Sequence, residues 1–246
     1  MFKNILFKNF LIIKRNLKIR RDLQNLLKNE PEVFKTLKPK YKYSYSKKYI
    51  SKYKKFKNIR IIGMGGSILG TEAIYNFLKN KIKKNLIFVN NLNSNANYFR
   101  NKNIYLNLII SKSGNTLETI TNANTLIRGK DKNIIITENK NSYLTNLAKE
   151  LKSEVIEHKN FIGGRYSVLS EVGMLPAELI NLEENKFKQF NQLIKNKDFI
   201  DNLINNVSST LDLLKSGKYT SVILNYDEQS ECLFKWYQQL IAESLG

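Results

Sequence analysis

Ile59-Arg60-Ile61-Ile62-Gly63-Met64-Gly65-Gly66-Ser67-Ile68-Leu69-Gly70 is the stretch on which the fold turns. The apolar run Ile59 to Met64 has the length of a buried strand, it stops at Gly65-Gly66, and from Ser67 to Leu78 the apolar spacing becomes helical. The alternation then repeats. Strands are predicted at 86–89, 105–110, 134–137 and 154–156, and helices at 93–100, 116–127 and 143–151. Short apolar strands alternating with amphipathic helices require a parallel sheet covered on both faces, a doubly wound α/β domain.

Outward from that core, residues 1–50 read as a basic, helical and irregular lead-in, 51–182 as the α/β domain and 183–216 as a helical connector. Residues 217–246 read as the start of a second α/β unit, with a strand at Ser221–Asn225 and a helix at Gln229–Leu245. One strand and one helix cannot bury both their faces, so the sequence reads as incomplete at its C-terminus.

Composition narrows the function classes. With 246 residues, 42% apolar and 25% charged, the chain is globular, and bulk disorder is excluded. The single cysteine, Cys232, excludes an internal disulfide and a cysteine-rich metal cluster, and fits a reducing, cytoplasmic setting. The longest apolar runs, such as Phe10 to Ile13, fall far short of the ~20 residues that span a bilayer, so no membrane partner is expected. A net charge of +20 attracts phosphates of any kind. Only seven of the 41 cations are arginine, the residue favoured for base reading, so specific nucleic-acid recognition is not expected. Drift of surface positions toward A/T-heavy codons accounts for most of the lysine. Residues 35–57, where Tyr41, Tyr43, Tyr45, Tyr49 and Tyr53 alternate with lysines, have the pattern of a single-strand binder but read better as a solvated lead-in.

A strand, a glycine turn and a helix make a phosphate cradle in general, because glycine lets the backbone approach and the helix N-terminus favours an anion. Two common versions are disfavoured. A dinucleotide fingerprint needs glycine where Ile68 stands and an acid where Asn90 and Asn91 stand; a nucleotide P-loop needs lysine where Thr71 stands. A second turn, Ser111-Lys112-Ser113-Gly114-Asn115-Thr116, opens the next helix, which carries Glu118. It brings three hydroxyls and an ammonium to one helix N-terminus, which suits a phosphomonoester, whereas an ordinary capping turn explains only one hydroxyl.

Four separated motifs resemble glucose-6-phosphate isomerase, a family built of two sugar-isomerase (SIS) domains, each a flavodoxin-like parallel sheet. They are Gly63-Met64-Gly65-Gly66-Ser67 with Leu69-Gly70, Ser111 to Thr119, Gly163-Gly164-Arg165-Tyr166-Ser167-Val168-Leu169-Ser170 through Gly173, and Gln239 with Ala242-Glu243-Ser244. The resemblance implies that Ser111, Lys112, Ser113 and Thr116 hold the sugar phosphate, that Ser67 and Gln239 contact substrate, and that Arg165 lies beside the C1 and C2 oxygens. Glu243 is implied as the base that moves a proton between C2 and C1. No cofactor or metal is implied.

The family's catalytic histidine, reaching across from a partner subunit, and its lysine from further along have no counterpart here. The one histidine, His158, precedes the Gly-Gly-Arg motif and reads as structural or exposed. The expectation is therefore the N-terminal portion of a glycolytic isomerase, with little activity as 246 residues and a homodimer at full length. The alternative is a non-catalytic SIS module that binds sugar phosphates, and a third class is a nucleic-acid binder using the basic charge.

Overall fold

The computed structural model describes residues 17–92 and 103–245; the helix expected at 93–100 lies outside them. In chain order the elements are α1 (Leu17–Asn29), α2 (Lys47–Ile50), β1 (Asn58–Gly63), α3 (Leu69–Leu78), β2 (Asn85–Val89), β3 (Leu106–Ile110), α4 (Leu117–Leu126) and β4 (Lys132–Thr137). They continue with α5 (Tyr143–Glu150), β5 (Glu154–Glu157), α6 (Glu171–Leu179), α7 (Phe190–Lys195), α8 (Lys197–Lys215) and α9 (Glu231–Leu245).

The described residues form two compact units. The smaller joins those up to Pro39 with Lys188–Leu224, and the larger joins Lys40–Phe187 with the residues from Asn225 on. In the smaller unit, α1 meets α8 through an Arg20–Asp201 ion pair of 2.5 Å, and Phe34 packs edge-on against Phe190. Asn196 caps α8 by accepting from the Phe199 amide.

The larger unit is a five-stranded, all-parallel sheet in the order β2-β1-β3-β4-β5. This is the flavodoxin-like order, and it reverses direction between β1 and β3, the topological switch point where such sheets bind ligands beyond their strand C-termini. Strand alternation divides the core in two. Ile59, Ile61, Leu106, Leu108, Ile110, Ile134 and Ile136 face Val172, Leu175 and Leu179 of α6 and Tyr75 of α3. Ile62, Val89, Ile109 and Ile135 face Ala123 and Leu126 of α4 and Leu144 and Ala148 of α5. Both faces are dry, as a parallel sheet requires.

One row of the second face is polar. Arg60, Asn107 and Asn133 stand in register across β1, β3 and β4. Arg60 is fully buried, donates to Asn107 Oδ1 at 3.2 Å and to the Leu126 carbonyl at 3.1 Å, and lies over the Tyr105 ring. Asp131 stands 4.0 Å from Arg60 and 3.8 Å from Arg128, and accepts from the Tyr105 amide.

Two expectations are corrected. The lead-in before β1 is not simply solvated: Tyr45, Tyr53 and Phe56 pack on the sheet core, Tyr41 and Tyr43 are half-buried, and the three tyrosines 41, 43 and 45 touch ring to ring. Tyr41 donates to the buried Glu171 carboxylate, which also accepts from the Ser44 amide at 2.8 Å. Burial first, and the Glu171 charge second, push the Tyr41 hydroxyl far above its ordinary pKa and keep it a donor. The second correction is the strand expected at Ser221–Asn225. Those residues form no ladder, and Val222 and Leu224 are exposed, because no neighbouring edge is present among the described residues to take their amides and carbonyls.

Removing one partner of a buried ion pair costs roughly 3–5 kcal/mol, an upper bound at Arg60 because Asp131 keeps Arg128 and the Tyr105 amide. Arg60→Met is therefore expected to lower the urea midpoint sharply, and Arg60→Met with Asp131→Asn to recover part of the loss. A midpoint for the single variant within error of wild type would remove the buried charge from the account of stability.

Candidate functional site

The two turns singled out in the sequence leave neighbouring strands at the switch point. Gly63, the last residue of β1, is paired with Ile110, the last of β3, so the turns begin ~4.8 Å apart, the spacing of paired strands. A Cβ on Gly63 would stand 3.0 Å from the Ile110 carbonyl oxygen and 3.2 Å from Ser67 Cβ. Ser67 closes the 3₁₀ turn Gly65–Ser67, its amide donating to Met64 O.

The second turn is a cluster of hydroxyls. Thr116 holds the N-cap position of α4 without a side-chain capping bond; its Oγ1 is 2.8 Å from Ser111 Oγ instead. Ser113 Oγ lies 3.5 Å from Ser111 Oγ and accepts from the Asn115 amide. Capping by Thr116, the ordinary reason for a hydroxyl here, is thus set aside, and the start of α4 keeps its anion-favouring character. The loop is braced from beneath. Gly114 has φ +72, and a Cβ there would fall 2.2 Å from Ser142 Oγ. Asn115 Oδ1 accepts from the Tyr143 amide, and the Leu144 amide donates to Gly114 O. Lys112 is turned toward β4 and the loop after β5: its ammonium donates to Asn160 O at 2.8 Å and stands 3.7 Å from Glu138.

A third segment reaches the first turn from the loop after β5. Gly66 meets Gly164 and Arg165 backbone to backbone; a Cβ on Gly66 would stand 2.2 Å from the Gly164 carbonyl carbon and oxygen. Ser167 Oγ seals the joint, donating to Gly66 O and to Gly164 O. Arg165 follows from this joint. Its Nη1 lies 3.4 Å from Glu243 Oε2, its carbonyl accepts from Trp236 Nε1, and its guanidinium lies against the Tyr166 ring. Hydrogen bonding to Ser244 and then to Arg165 lowers the pKa of the Tyr166 hydroxyl.

Helix α9 packs against α3 and presents Trp236, Gln239 and Glu243 to this joint, positions three and seven apart on one helix face. Gln239 Nε2 donates to Glu243 Oε1 at 2.7 Å, and it lies over Gly65, where a Cβ would come within 2.8 Å of it; φ at Gly65 is +51. A fixed guanidinium beside a carboxylate, with an amide orienting that carboxylate, can stabilise negative charge on an oxygen while a proton moves to or from carbon.

The sequence-predicted residues thus fall into two groups at one sheet end. Ser67, Arg165, Gln239 and Glu243 gather around the first turn, and Ser111, Ser113 and Thr116 cluster in the second, with Lys112 directed to Glu138 and Asn160. Trp236, Tyr166 and Asn115 were missed as supports; the spacing of Trp236 from Gln239 and Glu243 is the one signal that pointed to it. His158 is buried, its Nδ1 3.2 Å from Lys159 O. Among the described residues no group of three or more metal-ligating side chains occurs.

The strand order and the two loops define a flavodoxin-like, doubly wound α/β protein. The sequence pattern of the family described as phosphoglucose isomerase matches residues 14–246, and the chain belongs to that family. It is 36% identical to glucose-6-phosphate isomerase of Methanocaldococcus jannaschii over 218 residues, 80% of this chain and 53% of that protein. With the enzyme of Acholeplasma laidlawii it shares 32% identity, over 76% of this chain and 50% of the relative. The chain spans about half the length of the curated relatives it matches. Among solved structures, a hypothetical protein from Thermus thermophilus superposes with TM-score 0.70 at 21% identity, covering 94% of this chain and 60% of that one. A glucose-6-phosphate isomerase from Chlamydia trachomatis superposes with TM-score 0.62 at 23% identity, covering 78% and 41%. These two likenesses establish the shared fold.

Gly66→Ala forces a methyl into the Gly164 carbonyl, and overpacking of this kind costs ~1–3 kcal/mol or more. The expected outcome is a lower melting temperature together with a changed Trp236 emission as the joint opens; a variant unchanged in both would contradict the packing described. Burial lowers the His158 pKa below its ordinary 6.5, so the neutral ring is the form the fold favours. Its contribution to stability is complete above about pH 6.5 and is lost as pH falls toward the lowered value. His158→Gln should flatten that limb of the stability–pH curve; an unchanged slope would mean that other groups cause it.

Proposed function

We propose that this chain carries the aldose-ketose isomerase chemistry of its family, interconverting glucose 6-phosphate and fructose 6-phosphate through a cis-enediol. In this reading Ser111, Ser113, Thr116 and the N-terminal amides of α4 hold the phosphate, and Lys112 exchanges its Asn160 and Glu138 contacts for it. Ser67 and Gln239 meet the sugar. Glu243 removes the proton from C2 of the open-chain aldose, the electron pair moves to form the C1–C2 double bond, and the carbonyl oxygen at C1 takes up a proton. Return of the proton from Glu243 to C1, with loss of the C2 hydroxyl proton, leaves the ketose. Arg165 stabilises the negative charge that develops on the C1 and C2 oxygens.

The observation that carries the reading is the Arg165–Glu243 contact beside the glycine turn, since a phosphate sensor needs neither a base nor a cation paired with it. The absence of a capping bond from Thr116 supports the phosphate end. Soluble, cytoplasmic operation as a homodimer belongs to this proposal, as does the need for the remaining length of the family for full turnover.

General-base removal typically costs ~10²- to 10⁴-fold. Measured on the protein at the length of its relatives, Glu243→Gln should lower kcat by that range while the affinity for fructose 6-phosphate stays within a few-fold. Undiminished turnover by this variant would overturn Glu243 as the base, and sugar-phosphate binding without turnover by the unsubstituted protein would leave the sensor reading in its place.

A further inference from the structure

A cavity opens at the end of the sheet opposite the candidate site, beside the N-terminal ends of β4 and β5, with a volume of about 750 Å³. That lies within the ~300–1,000 Å³ typical of small-molecule sites. One wall is aromatic: Tyr49, Tyr53 and Phe56 come from the segment before β1. Tyr53 and Phe56 are partly buried against the sheet core, and Tyr49 is the exposed ring of the three. Facing them are the C-terminal ends of α4 and α5 with the exposed Lys132 and Lys152, while the exposed Lys52 and Lys55 stand on the aromatic segment itself.

The sign of the charge is decided by counting. Five cations line the cavity against Asp131, Glu150 and Glu154. Asp131 pairs with Arg128, which removes one charge of each sign and leaves four lysines against Glu150 and Glu154, the latter also accepting from the Tyr49 hydroxyl. Each helix C-terminus adds about half a negative charge, not enough to cancel the excess. The cavity is a net attractor of anions with an aromatic face.

Two details point beyond a solvated cleft. Lys52 Nζ lies 3.4 Å from the centre of the Tyr49 ring and 5.0 Å from that of Tyr53, occupying a stacking position. A base stacked on an aromatic ring is a stronger contact than an exposed ammonium over it, and the displaced ammonium becomes available to a phosphate. Lys152 has φ 48, just past the end of α5, where glycine is usual. A lysine there keeps a strained backbone and places a fifth cation on the cavity wall.

We propose that this cavity is a nucleotide site: an aromatic base lies against the Tyr49, Tyr53 and Phe56 wall, and its phosphate meets the lysines opposite. The site is separate from the sugar-phosphate reading and does not depend on it.

Calorimetric titration of the full chain with AMP, adenosine, ribose 5-phosphate and an oligoadenylate tests it. AMP is expected to bind at least tenfold more tightly than adenosine or ribose 5-phosphate. Tyr49→Ala and Lys152→Gly should each weaken AMP at least fivefold; Lys152→Gly relieves the strained backbone, so its loss of binding cannot be put down to unfolding. Saturating fructose 6-phosphate should leave AMP affinity within twofold. Ribose 5-phosphate binding as tightly as AMP, competition by fructose 6-phosphate, or variants indistinguishable from wild type would each overturn the proposal. An oligoadenylate bound more tightly per nucleotide than AMP would overturn it in favour of a single-strand surface.

Discussion

Gly66 and Gly164 touch through their backbones, and the geometry of the candidate site follows from that contact. A side chain at position 66 would separate the turn after β1 from the loop after β5, and Arg165, the next residue, would leave with the loop. The Ser167 hydroxyl, donating to the carbonyls of both Gly66 and Gly164, closes the joint with the one buried side-chain donor it needs. Gly65 allows the same closeness on the other side, where Gln239 lies over it at positive φ. Three segments far apart in sequence are thereby brought to one strand end with little conformational freedom left in any of them.

The parallel sheet supplies the rest of the order. Pairing of Gly63 with Ile110 sets the first and second turns side by side, and the reversal of strand order between β1 and β3 leaves the crevice open there. At the second turn, Thr116 gives up its capping role for a bond to Ser111, and Asn115 reaches across to the first amide of α5. A loop that holds itself through hydroxyl contacts and is held from below by its neighbour's helix start is preorganised.

Much of this was legible beforehand, for reasons that differ by residue. The strands at Ile59, Tyr105 and Ile134 and the helices between them were readable because burial on both faces demands unbroken apolar runs of strand length, while the edge strand at Glu154 buries only Ile156. Arg60, Asn107 and Asn133 were not readable as one polar row, since cross-strand register exists only once the sheet forms. The lysine-rich setting of Tyr41, Tyr43 and Tyr45 suggested solvent, but a buried Glu171 from a distant helix supplied a partner that local composition does not contain. Ser221–Asn225 has strand composition without a neighbouring edge, and composition alone forms no ladder. At the site, motif residues identified the chemistry; the direction taken by Lys112 and the support from Trp236 depend on loops meeting in space.

Trp236 has one more consequence. It is the single indole of the chain, and its ring nitrogen hangs on the carbonyl of Arg165. Emission excited beyond the absorption of the 13 tyrosines therefore has one source, seated where helix α9 meets the Arg165 loop, and any loosening or tightening there is written directly into the colour and intensity of the light.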